Sequence, residues 1–221
     1  QFTFTNFFSN DFYQLDLISS VENIISSSNQ YDFRTLNNTL KWIHTFNNNT
    51  NLSGTLVHST YKPKNLFPEI DSENLITFES QLNYSSIQME YINKTKDKFD
   101  YYLGSQLNRY DINPGILDPG FGNNINPVIL NRENGFELSL YGNLNWNINS
   151  DITLSTGLRI TRFMLYGPYK ESLYNNFGQA IDLRIYNDNE LVTNYTNPEP
   201  RLGINYKLND KSSIKISYAR L

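Results

Sequence analysis

The 221-residue chain contains no cysteine, which excludes disulfide scaffolds and thiolate metal sites. Histidine is nearly absent as well. His44 and His58 are the only two, thin material for an imidazole metal centre. No run of about 18 apolar residues occurs, so the sequence offers no membrane-crossing helix. It has no long basic run and a formal net charge of −4, which argues against nucleic acid as a partner. The opening stretch QFTFTNFFSN lacks a basic start and a continuous apolar core, so it does not read as a secretory signal.

Aromatic residues and asparagine are plentiful. There are 16 Tyr, 14 Phe and 33 Asn, while only 38% of the chain is hydrophobic. A disordered chain would lack the aromatics. Strands that show lipid at every second side chain fit both facts, because such a chain crosses a membrane while staying polar on average.

The clearest segment runs from Phe136 to Ile148. Phe136, Leu138, Leu140, Gly142, Leu144, Trp146 and Ile148 alternate with Glu137, Ser139, Tyr141, Asn143, Asn145 and Asn147. An unbroken period of two makes one face apolar and the other wet. At about 3.3 Å per residue, roughly ten tilted residues cover the hydrocarbon layer. Trp146 and Phe136 fall near the ends, where aromatic girdles belong. Asn149-Ser150-Asp151 then turns the chain into a second alternating run carrying Ile152, Leu154, Leu158 and Ile160, which predicts an antiparallel hairpin.

The arrangement recurs around Asn47–Asn51, Asn93–Lys98 and Asn209–Ser212. Between the hairpins the sequence predicts long polar links over 62–74, 111–133 and 167–197, and 1–37 is read as one strand with a further loop. Before the Asn93 turn the apolar phase slips after Ser85, which predicts either a β-bulge or a strand that outlasts the bilayer. Short turns on one side and long loops on the other match an outer-membrane barrel, with the short turns in the periplasm. Soluble sandwiches alternate too, but their strands average about five or six residues. The expected fold is therefore all-β, an antiparallel transmembrane β-barrel, with about nine strands over 1–221.

Several ordered segments carry a family resemblance: 38–46 (NTLKWIHTF), 110–115 (YDINPG), Gly157-Leu158-Arg159, Glu199-Pro200-Arg201-Leu202, and 212–220 (SSIKISYAR). In this order they resemble the barrel of TonB-dependent outer-membrane receptors of the Bacteroidota. The resemblance implies a larger barrel, of 22 strands, filled by a plug domain. It also implies import of a scarce nutrient driven through TonB. Partners would be the plug, TonB, outer-membrane lipid and lipopolysaccharide, with a surface lipoprotein as a further candidate. No plug segment is legible in this chain, so it is expected to be an interior part of such a barrel.

No catalytic constellation is legible. His58 and Ser59 adjoin, but neighbouring strand residues point to opposite faces. Gly120-Phe121-Gly122 opens no helix and precedes no Lys-Ser/Thr, so it is not a phosphate loop. The chain calls for no cofactor and no metal, and it is not expected to be an enzyme. Binding is the expected chemistry. Tyr169, Tyr174, Phe177, Tyr186 and Tyr195 in the link 167–197, with Tyr110 and Asp111 at the outer end of another strand, are the candidate ligand-binding residues, since loop aromatics offer large contact area at low entropic cost. Packing of the loops against one another competes with that reading. Arg162 and Lys170 are placed near the outer rim, within reach of lipid phosphates.

Overall fold

The computed structural model describes residues 1–18, 26–68, 75–94, 98–121 and 126–220. In chain order the strands are β1 (Phe2–Ile18), β2 (Ser26–Asn47), β3 (Thr50–Pro68), β4 (Leu75–Lys94), β5 (Phe99–Asp118), β6 (Val128–Ile129), β7 (Glu133–Asn147), β8 (Ile152–Tyr166), β9 (Tyr169–Tyr174), β10 (Ala180–Tyr186), β11 (Leu191–Asn209) and β12 (Ser212–Ala219). One antiparallel sheet runs β1-β2-β3-β4-β5-β7-β8-β11-β12, with β6 beside β5, while β9 and β10 pair only with each other. Each long strand therefore lies beside its neighbour in sequence, the meander that short turns between long strands dictate.

The register sorts the side chains into two faces. On one lies the row Gly54, Met89, Ser105, Leu140, Ile160. Beside it runs the row Leu56, Ile87, Leu107, Leu138. The opposite face carries Ser53, Glu90, Gly104, Tyr141, Arg159 and Glu199 in line. Burial is inverted relative to a water-soluble protein: Leu140 is 55% exposed and Ile87 52%, whereas Ser139 is 0% exposed and Asn108 4%. An apolar face left open beside a packed polar one is what lipid as the outer solvent produces.

Asparagine builds the short turns. The Asn47 side-chain oxygen accepts a hydrogen bond from the Asn49 amide at 2.9 Å, Asn149 accepts from the amides of Asp151 and Ile152 at 2.9 and 2.8 Å, and Asn209 accepts from Lys211 at 2.9 Å. The same Asx device closes three hairpins on one side of the sheet, which gives the abundance of asparagine a structural role.

On the other side the strands run further than sequence patterning indicated. β3 continues to Pro68 and β5 to Asp118, so much of the links 62–74 and 111–133 is strand. The link 167–197 holds the β9–β10 hairpin and the start of β11. The 1–37 region supplies β1 and the first part of β2, and the connection expected between them falls on 19–25, outside the described residues. Pro63 is tolerated inside β3 because it pairs with Phe33 of β2 while the ladder to β4 skips Lys62 and Pro63, the side on which the missing N–H falls.

Pairing is continuous through Ser85, so no bulge lies there. The irregularity falls between Glu79 and Gln81, opposite Asn113 to Ile116. That stretch of β5 contains Pro114-Gly115, which lodges one extra residue in the strand. The slip at Ser85 has the other cause: on the apolar face Ile87 gives way to Ser85, Asn83 and Gln81, a strand leaving its hydrocarbon level.

Candidate functional site

The polar face holds two layers. The lower is centred on Glu90. Its carboxylate accepts hydrogen bonds from Tyr102, from Tyr141 at 3.1 Å and from Gln88 at 2.6 Å, and Gln88 also donates to the Tyr141 hydroxyl at 2.9 Å. The Tyr102 and Tyr141 rings stack 5.6 Å apart. Tyr141 lies flat over Gly104, where even a methyl group would come within 2.3 Å of the ring.

Arg159 joins this layer to its neighbours. It donates to Ser139 at 2.9 Å and to Thr161 at 3.2 Å, approaches Glu137 at 3.8 Å, and sits 5.5 Å from the centre of the Tyr141 ring. Asn108 accepts from Tyr84 at 2.9 Å and donates to Glu137 at 3.1 Å. Glu199 pairs with Arg201 at 3.5 Å. Glu137 and Glu199 are matched by Arg159 and Arg201, while Glu90 is satisfied by hydroxyl and amide donors, as partly desolvated charges require. A concavity of about 240 Å³ opens between Gln88, Tyr102, Gln106, Tyr141, Arg159 and Arg201, room for a few polar groups of a ligand or of another protein segment.

The upper layer is aromatic. Tyr84 and Tyr110 lie 5.4 Å apart, Phe163 and Tyr195 stack at 5.3 Å, and Phe33 and Tyr61 stack at 6.4 Å. These six rings share the polar face ten to fourteen residues from the inner ends of their strands and form a collar with one ring from each of β2, β3, β4, β5, β8 and β11. Such offset pairs contribute about 0.5–1.5 kcal/mol each beyond burial and leave ring faces free for sugars or other planar groups.

The predicted site residues divide. Tyr110 and Tyr195 belong to the collar. Asp111 sits in β5 beside Tyr110 but pairs with Asn83 and Asn134 on the opposite face. Tyr169 and Tyr186 face each other at 6.5 Å within the β9–β10 hairpin, and the Tyr186 hydroxyl donates to Glu171 at 3.0 Å. Tyr174 and Phe177 occupy its tip, 64% and 88% exposed. Asn175 holds that tip, accepting from the amides of Phe177 and Gln179 at 2.9 and 3.0 Å. Sequence reading missed Phe33, Tyr61, Tyr84 and Phe163, whose partners lie on other strands. It also missed a cross-strand contact: His58 Nδ1 lies 3.0 Å from Ser85 Oγ. That pair is on the apolar face, and among the described residues no carboxylate orients the imidazole, so it lacks the third member a nucleophile–base pair needs.

The described geometry has a counterpart in sequence. The family model described as TonB dependent receptor-like, beta-barrel matches residues 1–221, and the chain belongs to that family. It is thus part of a bacterial outer-membrane β-barrel. The apolar face is its lipid side and the polar face lines the lumen. No curated protein matches the chain.

Several solved structures resemble it. The ferric-catecholate import receptor Fiu from E. coli K12, in its open form, matches at 16% identity with a TM-score of 0.58, over 86% of this chain and 36% of that one. The copper transporter OprC matches at 10% identity with a TM-score of 0.65, over 97% and 41%. BauA, the ferric preacinetobactin receptor from Acinetobacter baumannii, matches at 11% identity with a TM-score of 0.58, over 94% and 39%. The chain spans about two-fifths of the length of these structures, and at such identities the likeness is one of fold.

Proposed function

We propose that this chain forms part of the lumen wall and outer mouth of an energy-coupled outer-membrane receptor that captures a scarce nutrient and imports it. The observation that carries the reading is the lumen collar of Tyr84, Tyr110, Phe163 and Tyr195 above a charge-matched polar wall. Below the collar, the network around Glu90 and Arg159 offers hydrogen-bonding groups to a plug domain. TonB engages the whole receptor through regions outside 1–221, and a surface lipoprotein is a further candidate partner. Transport of this kind is non-covalent, so the chain acts as a transporter wall and not as an enzyme. The cargo named for the similar structures is a ferric catecholate, copper or ferric preacinetobactin. The collar itself selects for a ligand with planar or sugar-like faces.

The test is removal of residues 168–189 from the whole receptor, which takes out the β9–β10 hairpin and leaves β11 paired to β8. Ligand binding and uptake fall while the barrel still assembles. Undiminished uptake would sink a capture role for the hairpin, and uptake that persists in cells without TonB would favour a passive pore.

A further inference from the structure

On the lipid side, the outer ends of β5, β7 and β8 frame a groove of about 700 Å³. Leu107, Phe136 and Met164 supply apolar walls, and Arg109 and Arg132 supply the charge. The Arg109 guanidinium lies 5.9 Å from the centre of the Phe136 ring. Among the described residues neither arginine has a carboxylate within ion-pair distance. Asp188 lines the same groove, and Asp111 lies two residues beyond Arg109 on the same face, yet neither closes a salt bridge with them.

These cations are not isolated. Arg34, Lys62 and Arg162 share the lipid face, and with Arg109 each lies ten to thirteen residues from the inner end of its strand. At about 3.3 Å per residue and a tilt near 45°, that is roughly 23–30 Å above the inner boundary. This is the far edge of an apolar band about 25 Å tall. A guanidinium left unpaired at that level has one abundant anion within reach, the phosphate of an outer-leaflet lipid, which arginine binds in bidentate fashion. Directly below, a shallow apolar groove of about 530 Å³ runs between Leu103, Leu140 and Leu158 over the small residues Ser105 and Gly142. Leu107 of the upper groove and Ser105 of the lower stand two residues apart on β5, so both grooves open on one face.

We propose that the two grooves form one lipid-binding site, with a phosphorylated glycolipid headgroup of the outer leaflet held by Arg109 and Arg132 and an acyl chain lying over Ser105 and Gly142. The site rests on the outer-membrane placement of the chain and not on cargo import. Its test therefore reads lipid alone.

The whole receptor is purified in mild detergent, and lipid retention is measured by native mass spectrometry. The probes are bisphosphorylated lipid A and the same lipid stripped of its phosphates. The wild type retains the phosphorylated lipid roughly tenfold better, as loss of charge-assisted hydrogen bonds implies. The double substitution Arg109→Ala, Arg132→Ala erases that preference, the corresponding lysine pair keeps most of it, and Gly142→Leu weakens retention of both lipids. Equal retention of the two lipids by the wild type would overturn the proposal without recourse to any variant. So would an unaltered preference in the alanine pair, or displacement of the lipid by an equal concentration of inorganic phosphate.

Discussion

The Arg159 guanidinium lies 5.5 Å from the centre of the Tyr141 ring, and the two residues are direct cross-strand partners on the lumen face. Arg159 also faces Glu137 and caps Ser139, which is fully buried. Replacing Arg159 by Ala leaves these groups without their cation. The expected cost is about 1–3 kcal/mol, read as a lower thermal midpoint of the detergent-solubilised receptor, with Arg159→Lys recovering part of it.

Gly104 is the floor on which Tyr141 rests. Gly104→Val places a side chain where the ring now lies and breaks the Tyr141 contacts to Glu90 and Gln88. Folded barrel, followed by its heat-modifiable mobility on gels, falls in the single variant. Adding Tyr141→Ala restores assembly, because the obstruction is removed with the ring. Failure of that rescue would mean that Gly104 matters for a reason other than the close approach.

The collar gives a prediction about binding. Tyr110→Ala or Tyr195→Ala removes one ring from an aromatic pair, and ligand affinity in the whole receptor drops about fivefold to tenfold, in line with about 1–1.5 kcal/mol per lost aromatic contact. Phe substitutions at the same sites keep most of the affinity if stacking is the source. Asp111→Ala, on the other face of the same strand, leaves binding unaltered.

Asn175 fixes the tip that presents Tyr174 and Phe177. Asn175→Ala frees two amides to water and loosens the turn. The variant is cleaved faster by an added protease between Tyr174 and Ala180 in intact outer membranes, while its thermal midpoint stays within about 1 °C of wild type, since exposed loops contribute little to global stability.

The alternation from Phe136 to Ile148 was legible because lipid imposes period two on every residue that faces it. Legibility stopped where that constraint stopped. Beyond the hydrocarbon edge both faces of β3 and β5 are wet, so Lys62–Pro68 and Asp111–Asp118 carry no alternation and read as loop, although their backbones pair. The bulge near Glu79 was hidden for another reason. Its cause, Pro114-Gly115, sits more than thirty residues away on the partner strand. The collar is half visible in the sequence: Tyr110 and Tyr195 stand out near predicted loops, whereas no local pattern marks Tyr84 and Phe163, because only the register sets them beside their partners.

The length of the strands has a mechanical consequence. β2 has 22 residues, about 50 Å of height at ~3.3 Å per residue and a 45° tilt, against an apolar band of about 25 Å. The wall therefore stands up from the membrane as a stiff parapet, hydrogen-bonded along its length. A molecule arriving from outside meets ordered sheet well before it reaches the level of the lipid. Recognition at such a rim needs little loop ordering, so the entropy that floppy outer loops would lose on binding stays available as affinity.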